Sequence, residues 1–322
     1  MLTNTILNFK IDEDIFNSEK KAIIQELNDI INDTWFNLDL VLNQNLFPNN
    51  LRSVSQKEKK KNMKNLTCNQ VIKFYRNNYI LSNSCLTITG DINIKKTLES
   101  IKNTFHNQSF KKHVNNYKKV EFIPKIIYKK IESVSSNIYI IFKLNINLYD
   151  PFYKNYDILT NILTENGLNS ELYKVLRGKG LVYSISSEIN AHPIRNDLSY
   201  FIINTQSNNK NVILVIKHIL SVINKFKKYK FNQEYFDFII NNYELQYLNN
   251  NNKNKIIHYE YLYTDRFLWN KPIKNNSDIF QYKKNINPDK ISKAFNDLKF
   301  ENMSIVYGGT NNITKKINEL FK

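Results

Sequence analysis

Residues 167–186 read GLNSELYKVLRGKGLVYSIS, and this stretch decides the fold more than any other part of the chain. A glycine precedes a short amphipathic segment that ends in Arg177, and a glycine-containing turn then leads to an alternating segment that carries Tyr183. The pattern predicts a helix, a tight turn and a strand. Arginine and tyrosine beside such a turn offer donors for a carbonyl or a carboxylate, which suits peptide binding. The alternative is an ordinary helix–turn–strand connection in which Tyr183 packs.

The residues on both sides of this stretch predict strands in groups, separated by helices that lengthen after residue 210. Clustered strands and helices, rather than strict strand–helix alternation, indicate an α+β fold. The predicted strands cover residues 125–131, 137–144, 181–189, 198–206 and 303–307.

The first third of the chain is mainly helical in pattern. Helical periodicity runs over residues 15–45, with Ser18 as the expected N-cap. The lysine-rich residues 52–64 indicate an exposed connector. The apolar run Cys85–Thr89 ends at a Gly90-Asp turn, which predicts a buried strand.

The polar and basic residues 106–120 form the best linker candidate. We therefore predict two domains, residues 1–118 and residues 119–322. Each ends with a strand, a Gly turn and a helix, which indicates two related lobes, the first incomplete at its N-terminus.

The net charge of the chain says less about its function than the magnitude of that charge suggests. Lysine and arginine number 46 against 29 acidic residues, a formal net charge of +17, but only five of the basic residues are arginine. Proteins that bind nucleic acid rely on arginine forks for phosphates and bases. The composition therefore favours a solvated basic surface, and we expect no nucleic-acid partner. A nucleic-acid-binding module ranks last among the functions considered.

Two cysteines, Cys68 and Cys85, cannot build a disulfide framework or a multi-cysteine zinc knuckle. No stretch approaches the roughly 20 apolar residues that a spanning helix needs, and no secretory signal is visible at the N-terminus. We expect a soluble protein without a membrane span, in the cytosol or an organelle matrix.

Two carboxylates on the first helix form a candidate metal site. Glu19 and Glu26 are seven residues apart, so they lie about 20° apart around the helix axis. Their face also carries Ala22, Ile23 and Ile30, which predicts two carboxylates within an apolar stripe. One interpretation makes Glu26 a metal ligand supported by Glu19. The other makes both of them solvated charges paired with neighbouring lysines.

Several motifs together resemble the insulinase/pitrilysin zinc metallopeptidases, the family that includes the mitochondrial processing peptidase. The strongest is the segment from Gly167 to Ser184, which resembles the second-lobe signature of the family, although it has one residue fewer between Arg177 and Tyr183. The segment from Glu19 to Leu27 resembles the helix that carries the third zinc ligand. Three further segments agree in order along the chain: FYRNNY at 74–79, LTITGD at 86–91 and SIVYGG at 304–309.

The resemblance implies two insulinase-type lobes, each a mainly antiparallel sheet with flanking helices, that enclose a peptide between them. In that reading Glu26 is the third zinc ligand, Glu19 supports it, and Arg177 with Tyr183 binds the substrate backbone. The family's His-x-x-Glu-His motif does not occur in this sequence. We therefore expect no catalytic residue in this chain and no hydrolysis by it alone, and zinc only if the missing segment is supplied from elsewhere.

The resemblance leaves two functional hypotheses. The first is a peptide-binding member of a zinc metalloendopeptidase system. The second is a catalytically inactive companion or structural subunit of a peptidase-like complex. Both imply a homologous peptidase subunit or an oligomer as partner.

Overall fold

The computed structural model of the chain describes residues 9–31, 33–105, 118–253, 255–272 and 286–321. Its internal contacts divide it into two compact units. We call them the helical unit (Met1–Asp33, Ser55–Lys118 and Asn251–Ile273) and the sheet unit (Thr34–Val54, Lys119–Asn250 and Lys274–Lys322).

The described elements are given in chain order. The strands are β1 (Ile126–Lys130), β2 (Ser135–Lys143), β3 (Val182–Asn190), β4 (Tyr200–Asn208) and β5 (Met303–Gly309). The helices are α1 (Glu13–Ile31), α2 (Thr34–Leu46), α3 (Gln56–Asn65), α4 (Cys68–Asn78), α5 (Ile94–Phe105), α6 (Tyr153–Thr160), α7 (Val212–Lys227), α8 (Gln233–Lys253), α9 (Lys255–Leu268), α10 (Pro288–Asp297) and α11 (Thr314–Asn318).

All five strands form one sheet in the sheet unit, in the order β1-β5-β2-β4-β3. β1 runs parallel to β5, and the other neighbours are antiparallel. The strands predicted from the sequence after residue 119 are confirmed to within about two residues at each end. Together with the helices they confirm the α+β class.

Both faces of the sheet are covered, which explains why β2 is buried almost throughout. Ile138, Ile140 and Phe142 face a core built with α6, α7 and α10. Tyr139 and Ile141, which point the other way, face a second core built with α2.

Helix α2 lies under the sheet because it repeats a leucine every fourth residue. Leu38, Leu42 and Leu46 are buried and pack, with Phe47, against the sheet. A Cβ on Gly308 of β5 would come within 3.3 Å of Leu38 Cδ1 and closer still to Ile131, so the glycine permits this close approach.

The helical periodicity predicted over residues 15–45 is confirmed, but it belongs to two helices, α1 and α2, which lie in different units. The predicted domain boundary at residue 118/119 is also a boundary between the units, but the sheet unit takes Thr34–Val54 from the first segment and the helical unit takes Asn251–Ile273 from the second. The predicted linker lies largely outside the described residues, which resume at residue 118.

Two sequence predictions for the helical unit are wrong, one about a helix start and one about a connector. In both places a side-chain cap marks where the helix begins. Ser18 lies inside α1, which begins five residues earlier and is capped by Asp12 Oδ1 accepting from the Ile15 amide at 2.8 Å. The expected connector over residues 52–64 contains α3, because Ser55 accepts from the Glu58 amide and the following Lys and Gln residues are good helix formers. The predicted helix at Cys68 is confirmed, with Thr67 and Gln70 forming a capping box.

The predicted buried strand Cys85–Thr89 is wrong. The segment forms no strand with any described residue, and Leu86 and Ile88 are exposed. An apolar run becomes a buried strand only where a sheet offers it a partner, and every described strand belongs to the other unit.

None of the described helices is long and apolar enough to cross a membrane.

Candidate functional site

Residues 167–186 form a tight corner in the sheet unit. Tyr173–Arg177 is a π-helical turn, closed by the Gly178 amide donating to the Tyr173 carbonyl at 3.2 Å. Gly180 then adopts φ +65°, a conformation that suits glycine, and donates to the Arg177 carbonyl at 2.9 Å. The chain reverses here and enters β3 at Val182.

This corner brings Arg177 and Tyr183 together. The Arg177 guanidinium donates through Nη1 to the backbone carbonyl of Tyr183 and, at 3.1 Å, to the hydroxyl of Tyr173. Its central carbon lies 5.3 Å from the ring centroid of Tyr173 and 5.2 Å from that of Tyr183, which is the geometry of a cation–π contact with both rings.

The cluster is open to solvent and keeps unused hydrogen-bonding capacity. Arg177 is exposed, and Tyr183 retains 79% of its accessible surface. Within the described ranges no carboxylate pairs with Arg177, and its Nε and Nη2 groups donate to no protein atom. A guanidinium has five N–H donors in a planar fork, so it can still bind a carbonyl or a carboxylate.

Tyr173 belongs to this site, although the sequence motif alone does not indicate it. It lies four residues before Arg177, the spacing that puts two helical side chains side by side. The spacing of four residues between Tyr173 and Arg177 could have indicated this contact from the sequence. The Tyr173 ring lies against the Arg177 guanidinium.

The candidate metal pair lies in the helical unit and does not have the predicted environment. Glu19 and Glu26 are both exposed on α1, and so are Ala22 and Ile23. The prediction that their face turns toward a core is wrong, because Phe16 is the buried residue of this helix. Each carboxylate is therefore hydrated, without the burial that would have required a cation.

The lysine pairing considered as the alternative for these carboxylates is also not formed. The Lys20 amine donates to the Leu66 carbonyl at 2.8 Å and lies over the Phe16 ring. No ion pair of Glu19 or Glu26 occurs among the described residues.

The residues present do not fit a zinc ion. In the part of the chain that the structure describes, no three His, Cys, Asp or Glu side chains lie close enough together to hold a metal. His192 has its Nδ1 occupied, because that atom accepts from the Ile194 and Arg195 amides at 3.2 Å. A zinc site needs at least three protein ligands, and Glu26 offers one.

A second charged cluster ties the segment after residue 118 to the sheet. The Asp197 carboxylate accepts from the Val120 amide at 2.8 Å and from Nε of Arg195 at 3.1 Å, and the Lys143 amine donates to the Asp197 carbonyl. The Arg195 hydrogen bonds lower the pKa of Asp197 to about 2. Burial lowers the pKa of Lys143 to about 8. The cluster stabilises the fold and does not resemble a reactive site.

Known structures share this fold. The peptidase M16 inactive domain from Pseudomonas fluorescens superposes with a TM-score of 0.79 at 17% identity, over 94% of this chain and 72% of that one. A protease from Helicobacter pylori gives 0.78 at 17% identity, over 95% of this chain and 76% of that one. A chain of complex III₂ from Candida albicans, with Inz-5 bound, superposes with a TM-score of 0.73 at 12% identity, over 99% of this chain and 77% of that one. At these identities the likeness concerns the fold.

A comparison with curated protein sequences finds no match. The comparison with family models does find one: residues 65–243 match the model described as the peptidase M16 inactive domain. This segment contains the Arg177 corner and four of the five strands of the sheet, β1 to β4, and it confirms the insulinase-type resemblance. Since the match covers more than half of the 322 residues, the chain belongs to the family of the peptidase M16 inactive domain.

Proposed function

We propose that this chain binds extended peptides without hydrolysing them, as the peptide-holding part of a peptidase-like assembly. The observation that carries the proposal is the exposed Arg177 guanidinium, which lies against Tyr173 and Tyr183 and has no carboxylate partner among the described residues.

The chemistry of the corner supports peptide binding because the cation is oriented before any ligand arrives. The two rings and the Tyr183 carbonyl restrict the rotamers of a long side chain, so less entropy is lost when its free donors meet a peptide carbonyl or a C-terminal carboxylate. The exposed ring of Tyr183 adds an apolar surface beside these donors.

A zinc ion could bind only if residues outside the described chain supplied the missing ligands. Glu26 would then be one ligand and Glu19 a neighbouring acidic group on the same helix. A bound zinc ion would polarise a peptide carbonyl and activate a water molecule. The residues described here supply neither the remaining ligands nor a general base, so no step of hydrolysis is derived for this chain.

The second candidate is a catalytically inactive companion subunit whose role is to complete an assembly with a homologous peptidase-like subunit. The likeness in fold to a chain of complex III₂ favours it, since that chain is part of a multi-subunit complex. The two candidates differ in whether the Arg177 corner is needed for ligand binding or only for local structure.

The test is peptide binding by the purified chain. Fluorescein-labelled lactalbumin, reduced and carboxymethylated so that it stays unfolded, serves as the probe in fluorescence anisotropy. We expect Arg177→Ala to weaken binding about tenfold or more, corresponding to about 1.4 kcal/mol, while the melting temperature stays close to that of the parent protein.

Lys179→Ala is the matched control, because Lys179 is an exposed cation in the same corner. It should leave binding within about twofold of the parent. A parallel loss of thermal stability and affinity in Arg177→Ala, or equal losses in both variants, would favour the packing role and the companion subunit.

A further inference from the structure

The Arg177 guanidinium keeps one complete edge free for a ligand. Its Nη1 group donates twice, to the Tyr183 carbonyl and, at 3.1 Å, to the Tyr173 hydroxyl. The opposite edge, formed by Nε and Nη2, donates to no atom of the described residues. Because the guanidinium is planar, this free edge presents two parallel N–H bonds.

An edge of this kind fits a carboxylate better than it fits a backbone carbonyl. The two oxygens of a carboxylate accept both parallel N–H bonds at once, and hydrogen bonds between ionised groups are stronger than those between neutral groups. A backbone carbonyl has a single, uncharged oxygen, so one donor of the pair would stay with water. The geometry therefore favours a charged acceptor with two oxygens.

The plane of the free edge is fixed before a ligand arrives. The central carbon of Arg177 lies 5.3 Å from the Tyr173 ring centroid and 5.2 Å from the Tyr183 ring centroid, and Nη1 is held by its two acceptors. Two simultaneous hydrogen bonds require both donors to be aligned, so a fixed plane benefits a carboxylate more than a carbonyl.

The charges around the corner also favour an anionic ligand. Glu171, the acidic residue nearest to Arg177 in sequence, pairs with Lys174 at 3.3 Å and with Lys225 at 3.1 Å. Two cations therefore offset this carboxylate, which leaves it little repulsion for a second one. The net charge of +17 adds a long-range attraction for anions, which salt screens.

We propose that the free edge of Arg177 binds a carboxylate of the peptide and not its backbone carbonyl. This inference rests on the proposed function and narrows its ligands from extended peptides in general to peptides that present a carboxylate to the corner. Two sources supply this chemistry, the C-terminal α-carboxylate and the side chain of an internal Asp or Glu, and the experiment distinguishes them.

The experiment is displacement of the labelled lactalbumin probe from the full chain by three short synthetic peptides of one parent sequence without other charges. The first has a free C-terminal carboxylate and a central glutamine, the second has the same sequence with an amidated C-terminus, and the third is amidated with a central glutamate. We expect a peptide with a carboxylate to bind about tenfold more tightly than the uncharged second peptide. A gain in the first peptide identifies the C-terminus as the source, and a gain in the third identifies the side chain.

Three variants separate the free edge from general attraction by charge. Arg177→Ala should reduce the preference to within about twofold. Arg177→Lys keeps the charge but has no planar pair of donors, so it should also lose most of the preference. Lys179→Ala, which removes an exposed charge from the same corner, should keep it. Raised salt should lower the affinity of the carboxylate peptide more than that of the uncharged one.

Equal binding of all three peptides overturns this inference, and so does a preference that persists in Arg177→Ala, because that preference would come from the net charge. The proposed function survives the first of these results if Arg177→Ala weakens all three peptides alike, since a backbone carbonyl would then be the ligand. Failure of every peptide to displace lactalbumin also overturns the inference, whereas failure of lactalbumin itself to bind rejects the proposed function as well.

Discussion

The Tyr139 hydroxyl donates a hydrogen bond of 2.7 Å to Oδ1 of Asp39, which connects the central strand β2 to helix α2, a hundred residues earlier in the chain. Burial, and then this carboxylate, raises the pKa of Tyr139 above its ordinary value. The contact is a charge-assisted hydrogen bond in a largely apolar layer, where such bonds are strong.

We therefore expect Tyr139→Phe to lower the free energy of unfolding of the sheet unit by about 1–2 kcal/mol, because the variant keeps the ring and leaves the Asp39 carboxylate without its donor. Urea titration followed by circular dichroism measures this change. Tyr183→Phe is the control, since its exposed hydroxyl should change stability by less than about 0.5 kcal/mol. Equal effects would mean that α2 is held by its leucines alone.

The Tyr173 hydroxyl should matter for binding and not for folding. Tyr173→Phe keeps the ring under Arg177 but removes the acceptor of one guanidinium N–H. We expect the affinity for the unfolded lactalbumin probe to fall about two- to fivefold, and further in Tyr173→Ala, which also removes the cation–π contact of about 1 kcal/mol. Anisotropy titrations with melting curves separate the two effects. An unchanged affinity in Tyr173→Ala would show that the ring does not position Arg177.

Glu26→Gln should abolish zinc retention in any native assembly that supplies the missing ligands, because an amide cannot replace the carboxylate as an anionic ligand. The measurement is the zinc content of the assembly purified from its source. Glu13→Gln is the control, as an exposed glutamate on the same helix. Unchanged zinc in Glu26→Gln would remove this residue from the metal site.

Stability should fall at acidic pH through Asp197. Its carboxylate has a folded-state pKa of about 2, below the ordinary value of 3.8, because Arg195 binds the ionised form. A group whose pKa is depressed by folding stabilises the fold above its unfolded pKa, and that contribution disappears as the pH falls from about 4 to about 2.

The expected contribution of Asp197 is about 1–2 kcal/mol at pH 6, after discounting for partial solvent access. Asp197→Asn should be less stable than the parent by that amount at pH 6 and by little near pH 2. Urea titrations at several pH values test this, with Glu301→Gln as a variant of an exposed carboxylate in the same unit. A constant difference across the pH range would exclude the titration of Asp197 as the cause.

The sequence predicted the sheet unit well because its strands are rich in β-branched and aromatic residues and have partners. Ser135–Lys143 and Tyr200–Asn208 pair along their whole lengths, so local pattern and tertiary environment agree. The same pattern at Cys85–Thr89 failed, since nothing in five residues reveals whether a partner strand exists. The lysine-rich α3 was missed because it has no apolar stripe, although the cap at Ser55 marks its start.

The sequence predicted the local geometry of the candidate site but not the surroundings of the candidate metal pair. The proximity of Arg177 and Tyr183 follows from a turn of fixed length, which the sequence contains in full. The environment of Glu19 and Glu26 depends on what covers one face of α1, and periodicity alone cannot reveal that. The helical periodicity that continues from α1 into α2 also hid the fact that α2 belongs with the sheet.

The position of α2 bears on how this protein can be shortened, by proteolysis or by evolution. A polypeptide that began at residue 119 would retain all five strands but would lose the helix that seals the face carrying Ile141, Ile202 and Val306. That face would meet water and favour aggregation. The two units are interleaved along the chain, so neither can be inherited, duplicated or exchanged as one uninterrupted block of sequence.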